Sequence, residues 1–147
     1  MESGPGIGGK VSGSCHCGAV RFTVDLPQGW SAHRCNCSLC RMKGNVMVDV
    51  PLAALTILEG EDDLTLYRFN TGVARHRFCR NCGIHPFHRL RSEPDKYGIN
   101  AVCLDGVSPY DFIELPVHDG ERHPSDNDGV QRVAGVLRFE AKADDPR

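Results

Sequence analysis

The chain has 147 residues, of which 40% are hydrophobic and 24% charged, and its formal net charge at pH 7 is −2. This composition is typical of one globular domain with a sizeable core, and it excludes a disordered tail. No apolar run approaches the length of a membrane-spanning helix. Residues 1–10 are polar and glycine-rich without a hydrophobic signal core, so we interpret them as a flexible arm of a cytoplasmic protein with no membrane partner.

The next segments alternate apolar and polar residues, which predicts β-strands. In residues 19–26 four apolar side chains share one face and three polar ones share the other. The same period recurs at 45–50, 64–69, 73–78, 97–104 and 134–140. Residues 51–55 allow one helical turn, and 118–129 form a long polar loop. The sequence therefore predicts a mainly β fold in a single domain over residues 11–140, with a short tail at 141–147.

Eight cysteines in a chain without an export signal favour metal or catalytic roles over disulfides. Cys79 and Cys82 form a Cys-x-x-Cys-Gly turn, which directs two sulfurs at one metal. Cys15 and Cys17 are two apart, so they lie on the same side of an extended chain. Together the four predict a closed, structural zinc site that joins distant segments. The alternative is a redox dithiol at Cys79 and Cys82.

The middle cluster consists of Cys35, Cys37 and Cys40, which can reach one metal through a local bend. Three protein ligands with a fourth position left for another molecule are typical of a reactive zinc. The alternative is a second closed site, completed by Cys103, His33, His76, His85 or His88. Cys103 falls in the predicted strand 97–104, and its apolar neighbours favour a buried structural thiol.

Three thiolates over-neutralise a zinc ion, so such a site is a weak Lewis acid and is suited to a soft sulfur ligand. Residues 1–92 contain 11 Lys/Arg against 7 Asp/Glu, whereas residues 93–147 contain 6 against 12, which favours an anionic ligand near the cysteines. We predict that Arg34, Arg41 and Lys43, which flank the middle cluster, bind a small anionic thiol.

The segments "GSCHCGAVRF", "CNCSLCR", "RFCRNCGIHPFH" and "YGINAVCLDG" together resemble the family of glutathione-dependent formaldehyde-activating enzymes, to which centromere protein V also belongs. The resemblance covers about residues 12 to 120. It implies a β-tent fold of packed, strongly bent sheets and two zinc ions. The structural zinc would be held by Cys15, Cys17, Cys79 and Cys82. A more labile zinc, partly occupied, would be held by Cys35, Cys37 and Cys40.

The resemblance also implies carbon–sulfur lyase chemistry, with glutathione as a co-substrate in forming an adduct with formaldehyde. We therefore expect a zinc-dependent enzyme that acts on a thiol adduct of a small aldehyde. The alternative is a non-catalytic zinc module that binds protein or nucleic acid, although a pI of 6.4 argues against nucleic acid. A third hypothesis is a metal-buffering or redox-sensing protein that uses the middle cluster as a thiol switch.

Overall fold

The computed structural model of the protein describes residues 8–143, which form eleven strands, one short α-helix and several 3₁₀ turns. The strands are β1 (Gly9–Ser14), β2 (Arg21–Leu26), β3 (Arg34–Cys35), β4 (Met47–Pro51), β5 (Leu55–Glu59), β6 (Leu64–Tyr67), β7 (Arg75–Cys79), β8 (Phe87–Arg89), β9 (Lys96–Asn100), β10 (Glu114–His118) and β11 (Val133–Arg138). The helix, α1, spans Cys40–Lys43. In this part of the chain no helix has the length and apolar character needed to span a membrane.

The strands form three sheets. The first has the order β1-β2-β5, the second has the order β4-β9-β8-β7-β6, and the third has the order β11-β10-β3. Every pair is antiparallel except β3 with β10, which run parallel. The parallel pair matters for the site, because it brings the end of β10 beside Cys35.

One face of the five-stranded sheet forms the core with the first sheet. The register aligns Val48, Ile99 and Phe87 across β4, β9 and β8, and all three are buried. The Phe87 ring meets the edge of Phe22 on β2, with ring centroids 5.5 Å apart. Aromatic pairs in this arrangement add to the stabilisation from burial, so this contact helps to lock the two sheets together.

The opposite face carries a polar row, because neighbouring residues of a strand point to opposite sides of the sheet. The row runs across all five strands as Asp49, Gly98, His88, His76 and Tyr67. An added Cβ at Gly98 would lie 2.6 Å from Cε1 of His88. The glycine therefore leaves the space that the His88 ring occupies.

The prediction of a mainly β fold is confirmed, and the allowed turn at 51–55 corresponds to a 3₁₀ turn at Leu52–Ala54. The expected strand at 97–104 is wrong in its second half. β9 ends at Asn100, and the N–H of Leu104 donates to the carbonyl of Ala101, which closes a 3₁₀ turn containing Cys103. Cys103 is half-buried against the core rather than within a strand.

The predicted arm and tail fall largely outside the described residues. Residues 1–7 of the arm and residues 144–147 of the tail are among those the structure does not describe. Gly9 and Lys10, which we predicted to belong to the arm, lie in β1 and pair with Leu26 and Asp25 of β2.

Candidate functional site

The first cysteine cluster joins two turns that are far apart in sequence. Cys15 and Cys17 lie between β1 and β2, whereas Cys79 ends β7 and Cys82 lies in the turn that leads to β8. All four sulfurs lie within 4.8 Å of one another. The Sγ of Cys17 is 3.6 Å from the Sγ of Cys15 and 3.7 Å from that of Cys79. The cluster therefore ties the first sheet to the five-stranded sheet.

These distances fit a tetrahedral zinc. Zn–S bonds of about 2.3 Å place neighbouring sulfurs of a tetrahedron about 3.8 Å apart. Backbone N–H groups also point at the sulfurs, since Val20 donates to Cys15 Sγ and Asn81 donates to Cys79 Sγ, each over 3.4 Å. Such donors favour the thiolate form that a metal needs. Gly83 follows Cys82 with a φ of 77°, which closes the turn in a conformation that suits glycine.

The second cluster lies where β3 passes into α1. Cys35 ends the strand, Cys40 begins the helix, and the sulfurs of Cys35, Cys37 and Cys40 lie within 4.8 Å of one another. The N–H of Cys37 donates to Cys35 Sγ over 3.4 Å, and the N–H of Cys40 donates to Cys37 Sγ over 3.3 Å. Hydrogen bonds from the Cys35 and Cys40 thiols hold the pKa of Cys37 well below its usual range. The cluster therefore suits a soft metal such as zinc.

Within residues 8–143, no fourth cysteine, histidine or carboxylate places a ligand atom within 4.8 Å of all three sulfurs. None of the residues that the sequence offered to close the site joins the group: Cys103, His33, His76, His85 and His88. Three of these histidines instead line a cavity of about 220 Å³ that also contains the three cysteines. The geometry thus places the sulfurs in the wall of a cavity rather than inside a closed protein cage.

Histidines form two stacked pairs in this cavity. The rings of His33 and His118 lie 3.8 Å apart at 8°, and those of His76 and His88 lie 4.8 Å apart at 18°. Burial lowers the pKa of His33, His76 and His118 to about 4. At neutral pH the cavity is therefore lined by uncharged imidazoles, which can donate or accept a proton without first losing a charge.

Asp49 adds a carboxylate to the same cavity. Its Oδ1 is 3.8 Å from Nε2 of His33, but it is buried without a hydrogen-bond partner among the described residues. Burial raises the pKa of Asp49 to about 6. Since the pKa of His33 is about 4, the imidazole is neutral whenever the carboxylate is charged. We therefore interpret this contact as a close approach rather than as an ion pair.

The long polar loop after β10 forms another wall of the cavity, which the sequence alone did not assign. Gly120 and His123 line the cavity from this loop, next to His118 at the end of β10. The side chain of Asn36 accepts hydrogen bonds from the N–H groups of Gly120, over 2.7 Å, and Glu121, over 3.0 Å. An added Cβ at Gly120 would lie 2.6 Å from Cys35 Sγ. The loop is thus fitted directly against the second cysteine cluster.

The basic residues predicted to bind an anionic thiol take different positions. Arg34 donates from Nη2 to the carbonyl of Gly44 over 2.7 Å, and Arg41 is exposed with Nη1 3.7 Å from Oε1 of Glu121. Lys43 places Nζ 3.4 Å from Nδ1 of His76. None of the three lines the cavity. Their role in binding a thiol stays a prediction.

Comparisons with known proteins agree with the motifs. Residues 10–113 match the family described as glutathione-dependent formaldehyde-activating enzyme. A Halomonas elongata protein named "Putative glutathione-dependent formaldehyde-activating enzyme" is 34% identical over 80 residues, which cover 49% of this chain and 51% of that protein. A Talaromyces marneffei protein of the same name is 29% identical over 104 residues, covering 67% of this chain and 54% of the relative. The chain spans about half the length of these curated relatives.

A solved structure is also similar. The crystal structure of a Rhodobacter sphaeroides protein, a structural-genomics target, is 46% identical and superposes with a TM-score of 0.70. The match covers 72% of this chain and 98% of that chain. The two chains therefore resemble each other in both sequence and fold.

Proposed function

The chain belongs to the family of glutathione-dependent formaldehyde-activating enzymes, and on that premise we propose that it catalyses addition of a glutathione-like thiol to a small aldehyde, and the reverse cleavage. This makes it a carbon–sulfur lyase-type enzyme that depends on zinc. The observation that carries the proposal is the cluster of Cys35, Cys37 and Cys40 in the wall of a cavity. Three cysteines within six residues of one another form a site that an outside thiol can reach.

The two clusters have different roles in this proposal. Cys15, Cys17, Cys79 and Cys82 hold a structural zinc that supports packed sheets of the β-tent type, and Cys35, Cys37 and Cys40 hold a labile one. A zinc ion at the second cluster would stabilise the thiolate form of the substrate sulfur. The active unit is the domain over residues 11–140, acting in a reducing compartment such as the cytoplasm, where its thiols stay free.

The chain's own residues supply the rest of the chemistry. The loop that carries Gly120 packs on the cysteine cluster and limits the access of water to the sulfur. The neutral imidazoles provide hydrogen-bond donors for the polar aldehyde oxygen. Arg41 directly follows Cys40 and is 62% exposed in its side chain, so it is available to pair with a carboxylate of the thiol at the mouth of the cavity.

Binding and turnover of the zinc-loaded protein test this function. Calorimetry should detect glutathione binding to the wild type, and exchange spectroscopy with ¹³C-formaldehyde should show S-hydroxymethylglutathione forming faster than in buffer. Cys37→Ser should stay folded, lose one metal equivalent and lose both signals.

Cys103→Ala is the matched control, since its thiol lies outside both clusters. It should keep its metal content and activity, with a packing loss on the order of 1 kcal/mol. Wild-type protein that holds two zinc ions but neither binds glutathione nor accelerates the adduct would contradict the proposed function and favour a non-catalytic binding module.

A further inference from the structure

His76 is the one member of the polar row that contacts a cationic side chain among the described residues. Its ring lines the cavity beside the cysteine cluster, stacks on His88, and has Nδ1 3.4 Å from Nζ of Lys43. Lys43 does not line the cavity itself, so it approaches His76 from outside. The contact therefore joins a proton-bearing group outside the cavity to an imidazole that faces it.

The chemistry of this contact fixes the tautomer of His76. A lysine ammonium has three donors and no acceptor, so the Nδ1 of His76 must accept the hydrogen bond. The proton of the neutral imidazole then resides on Nε2. Burial, and then the charge of Lys43, lowers the pKa of His76 to about 4, which keeps the ring neutral. Burial also lowers the pKa of Lys43, which makes release of its proton easier.

We propose that His76 is a catalytic residue whose Nε2–H protonates the aldehyde oxygen, and that Lys43 is the positioning residue that fixes its tautomer and replaces its proton. This inference rests on the proposed function, because it assigns a role in that same reaction. The inference also extends the proposed function, since it names the group that protonates the aldehyde oxygen, whereas the proposed function concerns the sulfur.

The step balances in atoms and charge. The thiolate sulfur attacks the carbonyl carbon, a C–S bond forms, and the π electron pair of the C=O bond moves to the oxygen. The oxygen takes the Nε2 proton while Nδ1 takes one from Lys43, so the imidazole stays neutral throughout. The step leaves the imidazole proton on Nδ1, beside a neutral Lys43 amine. Nε2 then takes a proton equivalent to the one that the thiol lost on binding, and Nδ1 returns its proton to Lys43, which restores the starting state. Cleavage of the adduct runs the same transfers in reverse.

The other cavity histidines lack this combination. His123 also accepts at Nδ1, but its donor is the backbone N–H of Ser125 at 3.1 Å, which cannot give up its proton. His33 and His118 stack on each other, and the carboxylate near them is a proton acceptor at neutral pH. His88 has a buried Nδ1 that finds no hydrogen-bond partner within residues 8–143. Among the cavity histidines and their described neighbours, only the contact of His76 with Lys43 provides both a fixed donor and a source of the next proton.

Histidine-edited ¹H–¹⁵N spectra of the zinc-loaded protein test the tautomer without any substrate. The His76 signals, assigned by their absence in His76→Gln, should show the proton on Nε2 in the wild type. Lys43→Met should move His76 toward a mixture of tautomers. A wild-type His76 with its proton on Nδ1, or a tautomer unchanged in Lys43→Met, would overturn the role of Lys43.

Kinetics test the catalytic role. His76→Gln should bind glutathione within about twofold of the wild type and form the adduct about 10²-fold or more slowly, the usual contribution of a positioned general acid. Lys43→Met should also form the adduct more slowly, measured at saturating glutathione. His85→Gln is the matched control, because this ring packs on Phe78 outside the cavity, and it should keep the wild-type rate.

The outcomes separate the two proposals. A fast His76→Gln, or a loss that appears in His123→Gln instead, overturns the role of His76 while the proposed function stands. A wild type that fails to bind glutathione overturns the proposed function and the catalytic role with it. Melting curves and zinc content should match the wild type in each variant, and a slow His76→Gln that has also lost zinc would count against a direct role.

Discussion

At the scale of single residues, Gly98 shows how the sheet makes space for its polar row. Its Cβ position lies 2.6 Å from Cε1 of His88 and 3.1 Å from Cδ2 of Leu90. Since the φ of Gly98 is not positive, the constraint is a steric one. A methyl group here can be accommodated only if the buried His88 ring moves.

Gly98→Ala should therefore destabilise the protein by about 1–3 kcal/mol, the usual cost of overpacking. It should also displace His88 and disturb the cavity. Gly135→Ala is the control, because its Cβ would meet nothing within 4 Å on exposed β11, and it should stay within about 0.5 kcal/mol of the wild type. Urea unfolding of both variants measures the difference, and equal midpoints would contradict the steric interpretation.

Burial of Asp49 makes the stability of the protein depend on pH. Burial raises its pKa from 3.8 to about 6, so between these values the folded state binds a proton that the unfolded chain has already lost. The contribution of Asp49 to the free energy of unfolding is therefore most favourable at low pH. It falls as the pH rises from 3.8 to about 6. Burial is the largest cause of the raised pKa, and smaller effects come from the nearby groups His118, Glu93 and Lys96.

Asp49→Asn should remove this cost. The shift corresponds to roughly 3 kcal/mol at most, and because the side chain keeps 28% of its exposure we expect a gain of about 1–2 kcal/mol at pH 7. The gain should shrink toward zero below pH 4, where the carboxyl is protonated in both states. Unfolding free energies measured across pH would contradict this if the variant were equally stable, or less stable, at pH 7.

At the scale of elements, the end of β10 and the loop after it hold the second cysteine cluster in place. β10 pairs in parallel with β3, and Gly120 lies where a Cβ would be 2.6 Å from Cys35 Sγ and 2.7 Å from Cys37 Cβ. The cluster is therefore local in sequence but supported by a distant element. Support of this kind orients metal ligands and tunes their affinity.

Gly120→Ala should weaken zinc binding at the second cluster by about 10–100-fold, as changes behind metal ligands commonly do. The first cluster should keep its metal, because it lies on other turns. Competition with a chromophoric chelator measures the two affinities separately, and Gly135→Ala again serves as the control. Unchanged affinity at the weaker site would show that the loop does not support the cluster.

The same elements show what the sequence could predict. Both cysteine groups follow from spacing, because Cys-x-Cys and Cys-x-x-Cys bring sulfurs together through local geometry alone. The position of His118 could not be predicted, because β10 has Pro116 in its interior and pairs with a strand of only two residues. The row of Asp49, His88 and His76 depends on a register across separate strands, which alternation within one strand does not fix.

At the scale of the whole molecule, the two clusters differ in what they connect. Cys15 and Cys17 are far in sequence from Cys79 and Cys82, so a metal there closes a long loop between two sheets. The second cluster closes only a bend. The free energy of metal binding at the first site would therefore be largely folding free energy, whereas loss of a metal from the second site should leave the sheets packed.

Cys82→Ser should consequently give insoluble protein or protein without a cooperative melting transition. Cys37→Ser is the matched variant, with the same chemical change at the other cluster, and it should melt cooperatively within a few degrees of the wild type. Thermal melts and metal content of the two variants, measured side by side, test this difference. A soluble, cooperatively melting Cys82→Ser, or a collapse of Cys37→Ser, would contradict this division of roles.

The absorption spectrum of cobalt-substituted protein during titration with glutathione tests most directly whether the second cluster accepts an outside thiol. Cobalt is a coloured substitute for zinc whose spectrum depends on the number of thiolate ligands. We predict that glutathione shifts the visible bands of one of two bound cobalt ions toward a four-thiolate spectrum, and that Cys37→Ser abolishes the shift. Two cobalt ions that already show four thiolates each, with a spectrum that ignores added glutathione, would contradict the proposed function.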